Sequence, residues 1–169
     1  MDPATRRRSP LTMGSVNEEA ASAPPVFLPI DLHTEWDLLV RAPHNLLLMG
    51  TSSATDEMLG ALKPHLRVPL HEYTLPAGGS MPQPSEGTLV LSEVAKLDAT
   101  QQTTLLQWLD QMSECLDVQV VSTTSEPLFP LVQTGAFHPD LYYKLNVVLM
   151  DLLSVGEGSR TALRGDAGR

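Results

Sequence analysis

A short apolar run that stops at a glycine constrains the fold of this 169-residue chain more than any other feature. The run is Leu46-Leu47-Leu48-Met49, and Gly50 closes it. Four consecutive apolar residues bounded by a turn signal are typical of a strand buried on both faces, as in parallel sheets. Parallel strands need long crossover connections, so helices are expected to cover the faces of the sheet.

Helical patterns alternate with extended ones along the rest of the chain. Leu59, Leu62 and Leu66 have the three- and four-residue spacing of a helix that follows the first strand. The clearest helix is predicted to open at Asp98, because Asp98 and Gln101 have the spacing of a capping box ahead of an apolar stripe. Further strands are predicted at 68–73, 88–91, 118–121 and 147–150, and short helices at 128–133 and 139–145.

This order of elements predicts an α/β domain of three layers, with a parallel sheet between flanking helices. Pro69 favours an edge position for the strand at 68–73, because proline cannot donate to a sheet ladder. The domain is expected to occupy residues 26–153. Residues 1–25 and 154–169 lack large apolar side chains in a periodic pattern, and they are predicted to be a disordered leader and a disordered tail.

Composition and charge exclude several classes of function. The chain has a net charge of -9, and between residues 26 and 153 five bases stand against 15 acids. Such an acidic body is a poor match for a phosphate backbone, so no direct nucleic-acid partner is expected. No apolar run approaches the roughly 18 residues of a membrane span. No apolar segment follows the arginines at 6–8, which disfavours secretion and predicts a cytoplasmic protein.

Metal and thiol chemistry are also not expected. The single cysteine, Cys115, excludes an internal disulfide framework and a multi-cysteine zinc site, and an idle thiol is expected there. The five histidines show no paired ligand spacing, so no metal site is predicted. Trp108, Tyr142 and Tyr143 are predicted to pack in the core.

Three segments are expected at the carboxyl edge of the sheet, where ligands of such folds bind. They are residues 50–57, Ser92-Glu93 and Thr124-Ser125. The first stands where a phosphate-binding loop belongs, but that loop needs a second glycine and a lysine. This chain has Thr55 and Asp56 at those positions, followed by Glu57. Both carboxylates are predicted to lie in the first turn of the helix, where they complement its dipole.

Several motifs resemble the sigma-54-dependent transcriptional activators, which are AAA+ ATPases. Residues 87–94 (GTLVLSEV) resemble the Walker B segment GTLFLDEV, and 118–125 (VQVVSTTS) resemble the strand that ends in sensor I. Residues 135–148 (GAFHPDLYYKLNVV) are similar to G-x-F-R-x-D-L-Y-Y-R-L-N-V-V. The resemblance runs from about residue 32 to residue 152 and implies an AAA+, P-loop NTPase-like core.

The departures from the family's pattern fall on its catalytic positions. The resemblance places Asp56 at the Walker A lysine and Ser92 at the Walker B aspartate, while Glu93 matches the glutamate that polarises water. Ser125 stands at the sensor I asparagine, and His138 and Lys144 stand at the two arginine fingers. Phosphoryl transfer depends on positioning and charge stabilisation, so the chain is predicted not to be an enzyme and to hold no ATP or magnesium cofactor. The degenerate nucleotide pocket is predicted to comprise Gly50, Thr55, Asp56, Glu57, Ser92, Glu93 and Ser125.

The resemblance also implies missing parts. The stretch from Gly50 to Gly87 is too short for the family's sigma-contacting loop, and the chain ends where the family continues into a helical lid and a DNA-binding element. We therefore expect a lidless, degenerate AAA+ core.

Three functions remain open at this point. The first is an inactive protein-interaction module of sigma-54-type regulation, whose partner is an activator of that family, a signalling protein or a second copy. Its contacts are expected at residues 140–144 and on the helix that Asp98 opens. The second is a regulator that binds nucleotide without hydrolysing it, and the third is a weak ATPase that uses Glu93.

Overall fold

The computed structural model describes residues 23–28, 30–75, 80–112 and 118–153. The predicted tail, Cys115 and most of the predicted leader lie outside these ranges. The ordered elements are α1 (His33–Arg41), β1 (Leu46–Met49), α2 (Ser52–Leu62), β2 (Leu70–Thr74), β3 (Gly87–Ser92), α3 (Ala99–Met112), β4 (Val118–Thr124), α4 (Leu128–Gln133), α5 (Pro139–Leu145) and β5 (Val148–Asp151). Short 3-10 turns occupy Ile30–Leu32, Lys63–His65 and Val94–Lys96.

The five strands form one parallel sheet in the order β2-β3-β4-β1-β5. This confirms the α/β prediction, and β2 lies at an edge as Pro69 indicated. Strand β1 is central: Leu46 pairs with Val121 of β4 on one side and with Val148 of β5 on the other. The chain leaves β1 through α2 to the far edge and returns strand by strand, which brings the carboxyl ends of β1, β3 and β4 to one side of the sheet.

Alternate residues of the strands feed two separate cores. Leu47 and Leu89 face α3, α4 and α5, where they pack with the buried Leu105, Phe137 and Leu141. Leu46, Leu48, Val90, Val121 and Met150 face the other layer, where they pack with Trp36 and Leu39 of α1 and with Met58, Leu59 and Leu62 of α2. A period of two along each strand thus covers both faces, which makes the three-layer arrangement.

Local signals account for most helix boundaries. Asp98 and Gln101 form the predicted capping box, since each side chain accepts a hydrogen bond from the other's backbone N–H, at 2.8 and 3.0 Å. Helix α1 was not predicted from the sequence, although Trp36 and Leu39 stand three residues apart and are both buried. None of the helices in the described part of the chain is long and apolar enough to span a membrane.

Two predictions about aromatic side chains have different outcomes. Trp108 is buried in the core as expected. Tyr143 is 65% exposed, so its predicted core position is wrong. The reason is helical phase: Leu141 and Leu145, four residues apart, take the buried face of α5, and Tyr143 lies between them on the outer side.

A buried glutamine joins α3 to the segment that precedes α5. The Gln102 side chain is 6% exposed, and its amide donates to the carbonyl oxygens of Leu97 (2.9 Å) and Ala136 (3.0 Å). Its oxygen accepts from the backbone N–H of His138 at 2.8 Å. One side chain therefore satisfies three backbone groups where α5 begins.

Replacement of this glutamine should destabilise the fold. We expect Gln102→Ala to lower the free energy of unfolding by about 2–3 kcal/mol, because it leaves buried backbone groups unpaired. Gln107→Ala is the matched control, since Gln107 lies on the same helix and is exposed. Urea unfolding followed by circular dichroism measures both. Equal midpoints for the two variants would contradict the bridging role.

Candidate functional site

The turn between β1 and α2 is shorter than a phosphate-binding loop. Only Gly50 and Thr51 separate the strand from the helix, which begins at Ser52. Thr51 is the N-cap: its hydroxyl oxygen accepts from the Ala54 N–H at 3.3 Å, and its carbonyl accepts from the Thr55 N–H at 2.9 Å. Amide groups that would otherwise be available to an anion are thus partnered within the chain.

Gly50 is enclosed by its neighbours. Its N–H donates to the Thr124 carbonyl of β4 at 2.9 Å. A Cβ placed on Gly50 would lie 2.9 Å from the Cβ of Leu152, closer than unstrained carbon atoms approach. Leu152 is itself held over the end of β1, because its N–H donates to the Met49 carbonyl at 2.7 Å. The glycine therefore serves close packing of the chain after β5.

Asp56 and Glu57 do not lie in the first turn of the helix. With Thr51 as N-cap the first turn is acid-free, and both carboxylates fall in the second turn, where they are exposed. The predicted complementarity with the helix dipole is therefore wrong, because the dipole acts within the first turn. The error arose from treating the hydroxyl residues 51–53 as a loop, whereas Thr51 caps the helix and Ser52 and Ser53 belong to it.

Thr55 has a structural part in the same helix. It is 4% exposed, and its hydroxyl donates to the carbonyls of Thr51 (3.2 Å) and Ser52 (3.0 Å). Its methyl carbon lies 3.5 Å from the position that a Gly50 Cβ would take. At the position of the second loop glycine, the chain therefore has a buried side chain in regular helix.

Asp56 and Ser92 border a common cavity. Its volume is about 290 Å³, and it lies between α2 and the ends of β2 and β3. Lys63 also borders it and pairs with Glu72 across the cavity at 2.8 Å. The structure thus brings together the two residues at the family's lysine and metal-carboxylate positions, but as a carboxylate and a hydroxyl.

Glu93 lies in a constrained conformation at the carboxyl end of β3. Its φ is 62°, in the left-handed region that costs a residue with a Cβ about 1–2 kcal/mol. Its backbone N–H donates to the Thr123 hydroxyl at 3.3 Å. Its carboxylate accepts from the Ser125 hydroxyl at 2.9 Å and lies 3.7 Å from the Lys96 ammonium. These contacts join the predicted residues Glu93 and Ser125 and hold the carboxylate in place.

Lys96 and Leu152 were not among the predicted site residues. Lys96 was detectable in principle, since it follows Glu93 by three residues and a 3-10 turn brings such residues together. No local signal points from Leu152 to Gly50, because about a hundred residues separate them and only the pairing of β1 with β5 makes them neighbours. Within the described residues, no group of three or more histidine, cysteine or acidic side chains is placed to hold a metal ion.

His138 and Lys144 have intramolecular partners on α5. The His138 ring is the N-cap, and its Nδ1 accepts from the Asp140 N–H at 3.2 Å. The Lys144 ammonium lies 2.8 Å from the Asp110 carboxylate on α3. At the two positions that the resemblance assigns to arginine fingers, the chain therefore has a helix cap and an interhelical ion pair.

The fold and the strand-end site define the P-loop NTPase class of α/β domains, and comparison with solved structures agrees. NtrX from Brucella abortus, solved in complex with ATP, aligns with a TM-score of 0.60 at 18% identity, over 82% of this chain and 40% of that one. The P-loop NTPase domain of a sigma-54 transport activator from E. coli aligns with a TM-score of 0.51 at 20% identity, over 66% of this chain and 98% of that domain.

Sequence comparison gives the family. Residues 71–154 match the Sigma-54 interaction domain. The transcriptional regulatory protein TyrR of Enterobacter agglomerans is 34% identical over 83 residues, which cover 44% of this chain and 16% of TyrR. The alginate biosynthesis regulator AlgB of Pseudomonas aeruginosa is 28% identical over 142 residues, which cover 78% of this chain and 31% of AlgB. The matches thus span less than a third of these two relatives.

The chain belongs to the sigma-54 activator family through this AAA+ domain, as the resemblance of its motifs indicated. The part of the prediction that concerns a missing lid stays a prediction. In the described residues between β2 and β3 (75 and 80–86) the chain forms no helix.

Two glycine substitutions test the closed turn. We expect Gly50→Ala to lower the free energy of unfolding by about 1–3 kcal/mol, because the new methyl group overpacks against Leu152. Gly60→Ala is the matched control inside α2, where a Cβ meets nothing within 4 Å. It should raise stability by about 0.5–1 kcal/mol through helix propensity. Thermal melts of both variants distinguish the cases, and a neutral Gly50→Ala would show that Leu152 does not cover the turn.

Proposed function

We propose that this chain is a catalytically inactive AAA+-like module that modulates sigma-54-type transcription regulation or signalling through contact with a protein partner in the cytoplasm. Its family links it to transcription regulation. The observation that carries the inactivity is the two-residue turn between β1 and α2, whose hydrogen bonds leave no cradle of free amides for a triphosphate.

Charge at the same edge supports the proposal. A nucleotide placed over the start of α2 would meet Asp56 in place of a lysine. Two like charges 4 Å apart repel by about 4 kcal/mol at an effective dielectric of 20, and a neutral hydroxyl at Ser92 offers little to bind a metal ion. Both terms oppose the binding of MgATP, whose phosphates need a cation and a coordinated metal.

The solved structures of NtrX with ADP and with ATP are the strongest argument for retained nucleotide binding. The likeness is one of backbone at under a fifth identity, and it does not extend to the side chains that hold phosphate. Glu93 is the one catalytic position that matches the family, and its carboxylate is paired with Ser125 and Lys96. We therefore favour the inactive module over the nucleotide-binding regulator and the weak ATPase.

A partner surface is visible on the outer side of α4 and α5. Phe129, Tyr142 and Tyr143, here called the aromatic row, lie with successive ring centroids 6.1 and 5.3 Å apart. Phe129 is 48% exposed and Tyr143 is more exposed still. Aromatic side chains are enriched at protein interfaces, where they supply much of the binding energy. The row overlaps residues 140–144, so we assign the partner contact to it.

Calorimetric titration tests the inactivity. We expect no saturable binding of ATP or ADP, with or without Mg²⁺, at nucleotide concentrations up to about 1 mM, a limit that corresponds to roughly 4 kcal/mol of binding free energy. Phosphate release should equal that of buffer for the wild type and for Glu93→Gln alike. Micromolar binding without turnover would establish the nucleotide-binding regulator instead, and turnover lost in Glu93→Gln would establish the weak ATPase.

The double variant Asp56→Lys/Ser92→Asp separates the turn from the charges. It restores the family's lysine and metal carboxylate but leaves Thr51 as the cap of α2. Because the turn still lacks an amide cradle, we expect the variant to bind MgATP no more tightly than the wild type. Micromolar affinity in the same titration would show that charge alone had closed the site.

A transcription assay tests the partner contact. In a sigma-54-dependent reaction driven by an intact activator of the family, the chain should lower transcript yield in a dose-dependent way, because an inactive subunit contributes no hydrolysis. It should produce no transcript without that activator. Phe129→Glu should abolish the effect, whereas Leu38→Glu, at a similarly exposed leucine on α1, should retain it. No effect of the wild type, or equal loss in both variants, would contradict the assigned surface.

A further inference from the structure

A second cavity lies at the opposite edge of the sheet from the degenerate nucleotide pocket. It opens where β1, β4 and β5 begin, and its volume is about 570 Å³. That volume falls within the range of pockets that hold small molecules. Its lining comprises Pro43, His44, Asn45, Arg67, Leu109, Met112, Val118, Val120, Tyr143, Lys144 and Val147. Neither the family's catalytic positions nor Phe129 belongs to it.

The inner wall is apolar. Leu109 and Met112 contribute from α3, and Val118 and Val120 contribute from β4. Leu109 and Val120 are buried, so they present a fixed surface, and the flexible methionine can adjust to an occupant. Contact with such a wall favours a ligand with a hydrocarbon or aromatic body.

The charges of the cavity are sorted by sign. No aspartate or glutamate lines it, whereas Arg67, Lys144 and the titratable His44 do. The sorting is notable because five bases face 15 acids between residues 26 and 153, and two of those five bases border this one cavity. The nearest acid with a known contact is Asp110, which pairs with Lys144 at 2.8 Å from outside the lining.

The polar floor is already satisfied by the protein. The Asn45 amide donates to the Lys144 carbonyl at 2.9 Å, and its oxygen accepts from the Val120 N–H at 2.9 Å. The floor therefore needs no hydrogen bond from an occupant, and it fixes the backbone of Lys144. What the cavity still offers is an apolar wall and positive charge, which together select an amphipathic anion.

We propose that this cavity binds a small carboxylate with an apolar body, whose carboxylate faces Arg67 and Lys144 and whose body packs on Leu109, Met112 and Val120. The site is independent of the proposed loss of nucleotide binding, since it lies at the other edge of the sheet. It gives the domain a ligand site of its own.

Octanoate serves as the probe, with 1-octanol and octyltrimethylammonium as uncharged and cationic controls of equal chain length. Calorimetry on the full chain should show saturable binding of octanoate at one site, at least about tenfold tighter than binding of either control, since charge-assisted hydrogen bonds distinguish it. Equal affinity for octanoate and octanol would overturn the proposal.

Variants locate the site. Arg67→Gln should weaken octanoate binding about tenfold. Val147→Asp adds a carboxylate to the rim at a side chain that is 57% exposed, so it should abolish binding and leave the melting temperature unchanged. Val26→Asp makes the same substitution at a fully exposed valine outside the lining and should bind octanoate as the wild type does. Identical binding by the two aspartate variants would place the octanoate elsewhere and overturn the proposal, even if Arg67→Gln fails to fold.

Discussion

The cap that Thr51 places on α2 decides what this domain can do at the carboxyl edge of its sheet. Because the Thr51 hydroxyl accepts the Ala54 N–H, the helix starts two residues after β1 and uses the amides that a phosphate would need. The early start also moves Asp56 into the second turn, toward the cavity that Ser92 borders. Leu152 covers Gly50 at the same point. One local hydrogen bond thus sets the helix, the position of the acid and the closure of the turn.

The positions that resemble catalytic residues have been taken up by the framework. His138 caps α5, Lys144 joins α5 to α3 through Asp110, and Ser125 holds the Glu93 carboxylate. Each of these contacts occupies the group that catalysis would require to be available to substrate. The left-handed backbone at Glu93 persists because Thr123, Ser125 and Lys96 hold the residue, so the strain of a former site survives as part of the structure.

The two edges of the sheet therefore differ in chemistry. The carboxyl edge has acids and hydroxyls that bind one another, and the amino edge has an apolar cavity bordered by cations. Asn45 and Gln119 fix the amino edge, since their side chains bond to backbone groups of neighbouring segments at 2.8 to 2.9 Å. A domain with a closed nucleotide edge can still carry binding surfaces, because the sheet and both helical layers remain intact.

The sequence alone was sufficient for the alternation of strands and helices, the capping box at Asp98, the edge position of β2 and the family, because each depends on residues close together in the chain. Only the tertiary structure decided that Leu152 covers Gly50, that Ser125 reaches Glu93, and that Arg67 and Lys144 share a cavity. Those contacts join residues from 32 to about a hundred positions apart, and strand pairing creates them. Helix α1 and the exposure of Tyr143 depended on which residues of a helix find a neighbour to pack against, which no local pattern specifies.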